Sequence, residues 1–379
     1  MILDSQRSHF EIPREICYLN AAYMTPFPKS FGAIGGQAIT DGMHPWDVSP
    51  QDFFTRSERV RTLAGQVMDT NADNVALVPA VSYAVATAAR NLSAESGQVI
   101  LTLAEEFPSN YYGWSRLAEE AGAEMHVVSG PPDRDWTAAV LEAIDSLGER
   151  VAIVAVPHIH WSTGSMLDLF AIRRATRNVG AAMFCDLTQS LGALPLSVGA
   201  LDPDFAVAAG YKWLFGPYAV GYLYVSPRWQ NGAPLEDNWI VRAGSEDFGN
   251  LVNYREDYQS GARRFDMGER SNFLALPLAE AGLDMVLGWG IASIAETLGA
   301  INSEFAGRLE EAGFRCLPEA RRAPHLMATK PTEASPAEVG ARWKQHGALT
   351  SQRGDWIRIA PHLWIDDQDR KHFLNAISA

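Results

Sequence analysis

The sequence predicts an α/β protein: a large domain with a mostly parallel sheet between helices, and a small C-terminal α+β domain. Two observations carry that prediction. Between residues 75 and 185, short apolar runs alternate with stretches of helical length: VALV (75–78), VILTL (99–103), MHVV (125–128), VAIVAV (151–156) and AMFC (182–185). Strands that alternate with helices lie parallel and are covered on both faces, so they read as continuous apolar runs. After residue 226 the pattern gives way to a polar stretch over 228–272, a long helical region and a short α+β tail. A chain of 379 residues has room for more than one domain.

Taken in order, the N-terminal residues hold Pro26, Pro28, Gly32, Gly35, Gly36 and Pro45 with little periodicity, and read as an irregular arm. Val60, Leu63, Ala64, Val67 and Met68 recur at the spacing of one helix face and mark the first helix. Further helices are expected over 82–92, 109–121, 136–147 and 168–178. The run YAVGYLYV (218–225) follows a Gly-Pro turn and reads as an added edge or antiparallel strand. A helical region over 276–312 is expected to break near Gly288 and Gly290. HLMAT (325–329), a helix near 336–346, WIRIA (356–360) and a helix from Asp366 complete the small domain. The expected boundaries are an arm over 1–45, joining the small domain or a dimer interface, a large domain over 46–285 and a small domain over 286–379.

Composition narrows the function. Hydrophobic residues make up 47% and charged residues 20%, enough to build a core. Lys plus Arg is 31 against 45 for Asp plus Glu, a net charge of −14, which argues against nucleic acid or an anionic membrane as partner. Cys17, Cys185 and Cys316 are too few and too far apart for a disulfide framework or a four-ligand zinc site. No histidine or carboxylate pair has metal-ligand spacing, so no metal is assigned. With no apolar run of signal-peptide or bilayer length, a cytoplasmic protein is expected.

Three points fall where an open α/β sheet places its ligands, just past the carboxyl ends of strands. Asp186 and Gln189 follow the run AMFC, Lys212 follows FAVAAG, and Val81 and Ser82 open a helix directly after VALV. A desolvated lysine becomes an amine nucleophile for a carbonyl. A carboxylate beside a pyridine nitrogen keeps it protonated, and a helix N-terminus offers free N–H groups to a phosphate. Together these are what pyridoxal 5′-phosphate (PLP) asks of a protein. The first βα turn, VPAVSYA, is not the Gly-rich turn of a nucleotide-dependent enzyme.

The strings FCDLTQSLGALPLSVGALDPDF and AVAAGYKWLFGPYAVGYLYV resemble the centre of the class V aminotransferase family, of PLP fold type I. That group includes cysteine desulfurases, kynureninases and isopenicillin N epimerase-like proteins. The likeness runs in order through YLNAAYMTPFP (18–28), EEFPSN (105–110), PHIHWSTGSMLDL (157–169), GARRFDMGERSNF (261–273) and RGDWIRIAPHLW (353–364). The resemblance implies that Lys212 forms the aldimine with the cofactor and then moves the substrate α-proton, and that Asp186 pairs with the pyridinium nitrogen. It implies that Gln189 bonds the ring's phenolic oxygen, that Val81, Ser82 and Tyr211 hold the phosphate, and that Phe107 stacks on the ring where desulfurases carry a histidine. Trp161 is placed near the ring edge or the substrate, with plain packing as the alternative, and Arg358, His158 and Asn20 on the substrate side. Arg263, Arg264, Ser271 and Asn272 fall in the stretch that in relatives reaches the partner subunit's cofactor, with Gly268-Glu269 in place of a Gly-Thr. A homodimer with shared active sites follows by the same analogy.

Which reaction follows is read from what is missing. The segment 330–379 has no cysteine to accept sulfur, which disfavours a desulfurase. FDMGERSNF does not reproduce the characteristic Trp and Asn that a kynureninase carries in the loop before the long helix. An aminotransferase acting on an α-amino acid is the leading expectation. A β-eliminating C–S lyase or a kynureninase- or epimerase-like enzyme is the alternative, and a PLP-binding module without turnover comes third.

Overall fold

The computed structural model describes residues 1–131 and 133–378. Its centre is a seven-stranded sheet built from β2 (Val75–Val78), β3 (Val99–Leu103), β4 (Glu124–Val128), β5 (Val151–Pro157), β6 (Ala182–Asp186), β7 (Phe205–Ala209) and β8 (Gly221–Val225), in the order β2-β8-β7-β6-β5-β3-β4. From β7 to β4 all neighbours are parallel. β8 runs antiparallel to both β7 and β2. The run YAVGYLYV is therefore antiparallel, but it lies inside the sheet with β2 at the edge. All of its residues from Gly221 to Val225 are buried, as its unbroken apolar pattern requires.

Helices cover the sheet: α2 (Asp52–Val67), α3 (Val81–Asn91), α4 (Tyr112–Ala121), α5 (Trp136–Leu147), α6 (Leu169–Asn178), the short α7 (Val198–Leu201) and α8 (Leu276–Trp289). Starts of α5 and α6 are set by Asp135 and Asp168, whose carboxylates accept from backbone N–H groups in the first turn. The expected break near Gly288 and Gly290 falls at Gly290, where α8 ends and α9 (Ile291–Glu311) leaves at 74°. Among the described residues no single helix is long and apolar enough to cross a membrane.

A second core joins the N-terminal residues Phe10, Cys17 and Leu19 to α9 and to the C-terminal elements. There a four-stranded sheet runs in the order β12-β13-β10-β9, from β9 (Arg315–Cys316), β10 (Met327–Lys330), β12 (Ser351–Arg353) and β13 (Trp356–Ile359). It packs with α10 (Pro336–Gln345) and α11 (Asp367–Ser378), while β1 (Cys17–Tyr18) pairs with β11 (Ala348–Leu349). The arm is more regular than its turn residues suggest, because α1 (Ser30–Gly42) occupies a stretch with four glycines. Its stability is tertiary: Phe31 and Ala38 are buried, and the helix packs against α8.

One buried ionic cluster ties the polar stretch to the sheet. Asp266 accepts from Arg61 Nη1 at 3.0 Å and Nη2 at 2.7 Å, from Arg270, and from the backbone N–H of Leu77 in β2 at 2.7 Å. Burial works to raise the Asp266 pKa, but Arg61 and Arg270 prevail and hold it below the usual carboxylate range. Asp266→Ala would leave two guanidiniums buried without their counter-charge. Equilibrium urea unfolding of this variant is expected to show a loss of about 3–5 kcal/mol.

Candidate active site

The carboxyl ends of β5, β6 and β7 meet at a cavity of about 150 Å3 lined by Pro157, Asp186 and Ala209 together with the residues that follow them. This is the crevice at which an open parallel sheet binds ligands. Lys212 reaches it from the turn after β7 and is 7% exposed. That turn is tight: a Cβ on Gly210 would lie 2.7 Å from the Val220 carbonyl oxygen. The backbone carbonyl of Lys212 accepts from Thr25 Oγ1 at 2.8 Å, so the N-terminal arm holds the lysine in place.

Desolvation lowers the Lys212 pKa to about 8; Asp186 acts in the opposite sense, and Arg358 and Arg353 push it down further. Asp186 is raised by burial, partly offset by Thr188, whose backbone N–H donates to Oδ1 at 2.8 Å. Although both groups line the cavity, no ion pair within 4 Å joins Lys212 to Asp186 among the described residues. The gap is bounded on one side by Phe107, whose ring centre lies 5.6 Å from Nζ. Trp161 meets Phe107 edge to face at 5.5 Å and anchors its own indole N–H on the Glu105 carbonyl at 2.7 Å. Gln189 is oriented from behind: its Nε2 donates to Ala22 O, and its Oε1 accepts from Trp213, both at 3.0 Å.

At the other end Ala80 and Val81 line the cavity at the start of α3. No side chain caps that helix, so its first-turn N–H groups are free for an anion. The residues present therefore fit PLP. Uncapped N–H groups suit the phosphate, Asp186 suits a protonated ring nitrogen, Phe107 offers a ring face and Lys212 an amine. When bound, such a group supplies an electron sink for the bonds around a substrate amine.

The structure brings Lys212, Asp186, Gln189, Val81, Phe107, Tyr211 and Trp161 to one cavity. Ser82 lies one residue beyond the cavity wall and is exposed. His158 is not brought to the site. Its ring is buried, its Nδ1 has no partner, and burial with the nearby His325 drops its pKa to about 3, so it sits in the core as a neutral ring. Arg358 is 1% exposed and is not among the residues lining the cavity; it donates to Trp161 O at 2.8 Å and to Asn20 Oδ1 at 3.5 Å. Asn20 thus steadies Arg358 and does not itself line the cavity.

The stretch expected to reach a partner subunit is committed within the chain. Arg263 pairs with Glu58 and Asp73, Arg264 lies over the Tyr258 ring, Ser271 bonds Phe53 O, and Asn272 accepts from the first-turn N–H groups before α8. Glu269 is exposed, and the N–H of Gly268 donates to Glu236.

Sequence reasoning missed Tyr218, Thr188 and Glu106. Tyr218 packs on Tyr211 with ring centres 4.7 Å apart, across the Gly-Pro turn, a contact that chain spacing does not signal. Glu106 carried a signal, since it stands beside Phe107 in EEFPSN. Its carboxylate accepts from the Phe107 N–H at 2.5 Å and from Asn110 at 3.3 Å. Burial, and then the charge of Asp186, raise its pKa to about 8, so it holds a proton at neutral pH.

The aminotransferase class-V family matches residues 49–355 of the chain. An uncharacterized aminotransferase of Bacillus subtilis, YcbU, is 24% identical over 87% of this chain and 85% of its own length. A kynureninase of Deinococcus radiodurans is 29% identical over 75% and 68%. Among solved structures, a cysteine desulfurase of Thermococcus onnurineus superposes with a TM-score of 0.80 at 18% identity, covering 99% of this chain and 98% of the other. The cystine C–S lyase C-DES gives 0.79 at 18%, covering 96% and 97%. With the matched region spanning both the cavity and Lys212, the chain belongs to the aminotransferase class-V family and is a PLP-dependent enzyme of fold type I acting on amino acids.

Proposed function

We propose that the protein is an aminotransferase for an α-amino acid, with Lys212 as its proton carrier. The observation that carries this reading is the solitude of that lysine: among the described residues, no other amine, no imidazole and no thiol lines the cavity. Phe107 holds a ring face but cannot relay a proton. One base would then take the proton from the substrate α-carbon and return it, on the same face, to the carbon on the other side of the amine nitrogen, which is the proton transfer of transamination. In this reading Asp186 keeps the ring nitrogen protonated, Gln189 fixes the ring tilt, Val81, Ser82 and Tyr211 hold the phosphate, and Arg358, steadied by Asn20, receives the α-carboxylate. A desulfurase is disfavoured because Cys17 and Cys185 are buried and Cys316 is half-buried beside Thr329, all away from the cavity.

A β-eliminating lyase is the second reading, favoured by Glu106, a proton-bearing carboxyl on the cavity wall able to protonate a leaving group. The PLP-loaded enzyme mixed with single amino acids and no keto-acid acceptor separates the two. Transamination is expected to stop at one keto acid per active site with a lasting change in the cofactor spectrum. Continued release of ammonia and keto acid would overturn it in favour of elimination. The reading includes a cytoplasmic homodimer with shared sites, whose interface would cover the exposed Tyr23, Met24, Tyr218, Phe273 and Leu274. It also includes residues 1–45 as an arm of the small domain, with 46–285 as the large and 286–379 as the small domain.

A further inference from the structure

The cavity opens onto a cleft of about 750 Å3, with Glu106, Phe107 and Trp161 lining both. The outer wall of the cleft belongs to the small sheet. There Arg358 pairs with Ala328 and Ser351, Arg353 pairs with Trp356, and Lys330 pairs with Arg315. Side chains two apart on a strand share a face, and directly paired residues point to the same side. Trp356 and Arg358 are two apart, as are Ala328 and Lys330. Arg315, Lys330, Arg353 and Arg358 therefore stand on one face of a small sheet, in a protein whose net charge is −14.

Counter-charges within the chain satisfy only part of this face. Lys330 is paired with Asp355 at 2.8 Å, and across the cleft Arg134 is paired with Glu105 at 3.3 Å. Glu106 is bonded to Phe107 N and Asn110. Among the described residues no carboxylate lies within 4 Å of Arg353, Arg358 or Arg315. The Arg353 guanidinium is held 5.4 Å over the Trp161 ring, with Nη1 donating to Gln352 O at 2.6 Å. Nε of Arg353 and Nε of Arg358 are both buried without a partner.

The two arginines are diagonal neighbours on adjacent strands and carry like charges. Burial, and after it Arg353, lower the Arg358 pKa to about 9. The α-carboxylate of an amino acid supplies one negative charge to this pair. A second is needed before both guanidiniums are compensated.

We infer that the substrate is an amino acid whose side chain carries a second anionic group, and that Arg353 binds that group. The inference rests on the amino-acid reading above, with Arg358 taking the α-carboxylate. Arg353 lines the cleft one step outward from Arg358 on the same face, and its planar fork matches a carboxylate or another oxyanion. Arg315 and Lys330, further out on that face, raise the local concentration of such a substrate.

The test compares binding of glutarate and succinate with that of their monoamides to the PLP-loaded enzyme by titration calorimetry. The dicarboxylates are expected to bind roughly 10- to 100-fold more tightly, the range for a charge-assisted bidentate contact. In Arg353→Gln that preference is expected to vanish while monoamide affinity stays the same; Arg353→Lys is expected to retain part of it. An unchanged cofactor absorption spectrum in each variant shows that the site has folded. Equal binding of dicarboxylates and monoamides by the unaltered enzyme, or a preference that survives Arg353→Gln, overturns the inference. The readout is independent of whether bound amino acids are transaminated or eliminated. Failure of the aminotransferase reading therefore shows only in the products, and failure of this inference only in the affinities.

Discussion

Lys212→Ala is expected to abolish covalent retention of the cofactor and to lower turnover by roughly 10³-fold or more. The amine is the only one lining the cavity among the described residues, and its neutral form is the nucleophile toward an aldehyde. In the cofactor-free protein the Lys212 pKa is about 8, against an ordinary value of 10.5, chiefly because burial penalises the charged form. The neutral fraction therefore grows with pH and saturates once pH passes about 8. Cofactor uptake, followed by visible absorption, is expected to climb about tenfold per pH unit below that point and to level off above it. A profile still climbing toward 10.5 would show that the lysine is not desolvated as described. After borohydride reduction, the cofactor mass should be found on the peptide containing Lys212, and on no peptide of the alanine variant.

Asp186→Asn is expected to lower kcat by about 10²- to 10³-fold with a smaller change in KM, the signature of a charge that matters most in the transition state. Asp186 is buried at the end of β6, and one of its oxygens is already committed to the Thr188 N–H. Asparagine keeps the size and that hydrogen bond. It cannot balance a proton on a ring nitrogen, so the electron sink weakens while the cofactor stays bound. The two measurements separate the roles: a spectrum like that of the unaltered enzyme with a collapsed kcat is expected for Asp186→Asn, and a lost band for Lys212→Ala. Loss of the cofactor from Asp186→Asn would mean that the carboxylate anchors the ring and does not tune it.

Much of the site was legible because its residues occupy fixed offsets from strand ends. The apolar run AMFC forces a buried strand, and the residue that ends it, Asp186, must emerge where parallel strands open. The same logic places Lys212 after β7 and Val81 at the start of α3. His158 follows a strand end in the same way, yet its ring turns into the core beside His325. Offset along the chain places a backbone; it does not choose which way a side chain faces when both directions are open.

By itself the sequence determined the alternation of strands and helices, the crevice at the carboxyl ends, and the positions of a lysine and a carboxylate just past the strand ends there. Those follow from periodicity and from the local chemistry of helix starts. Only the tertiary structure decided that β8 lies inside the sheet, that Arg263 is neutralised by Glu58 and Asp73, and that Glu106 is desolvated beside Asp186. It also decided that four cations of the four-stranded sheet share one face. Each of these depends on pairing between segments far apart in the chain, where register and burial set the side-chain environment and no local pattern records it.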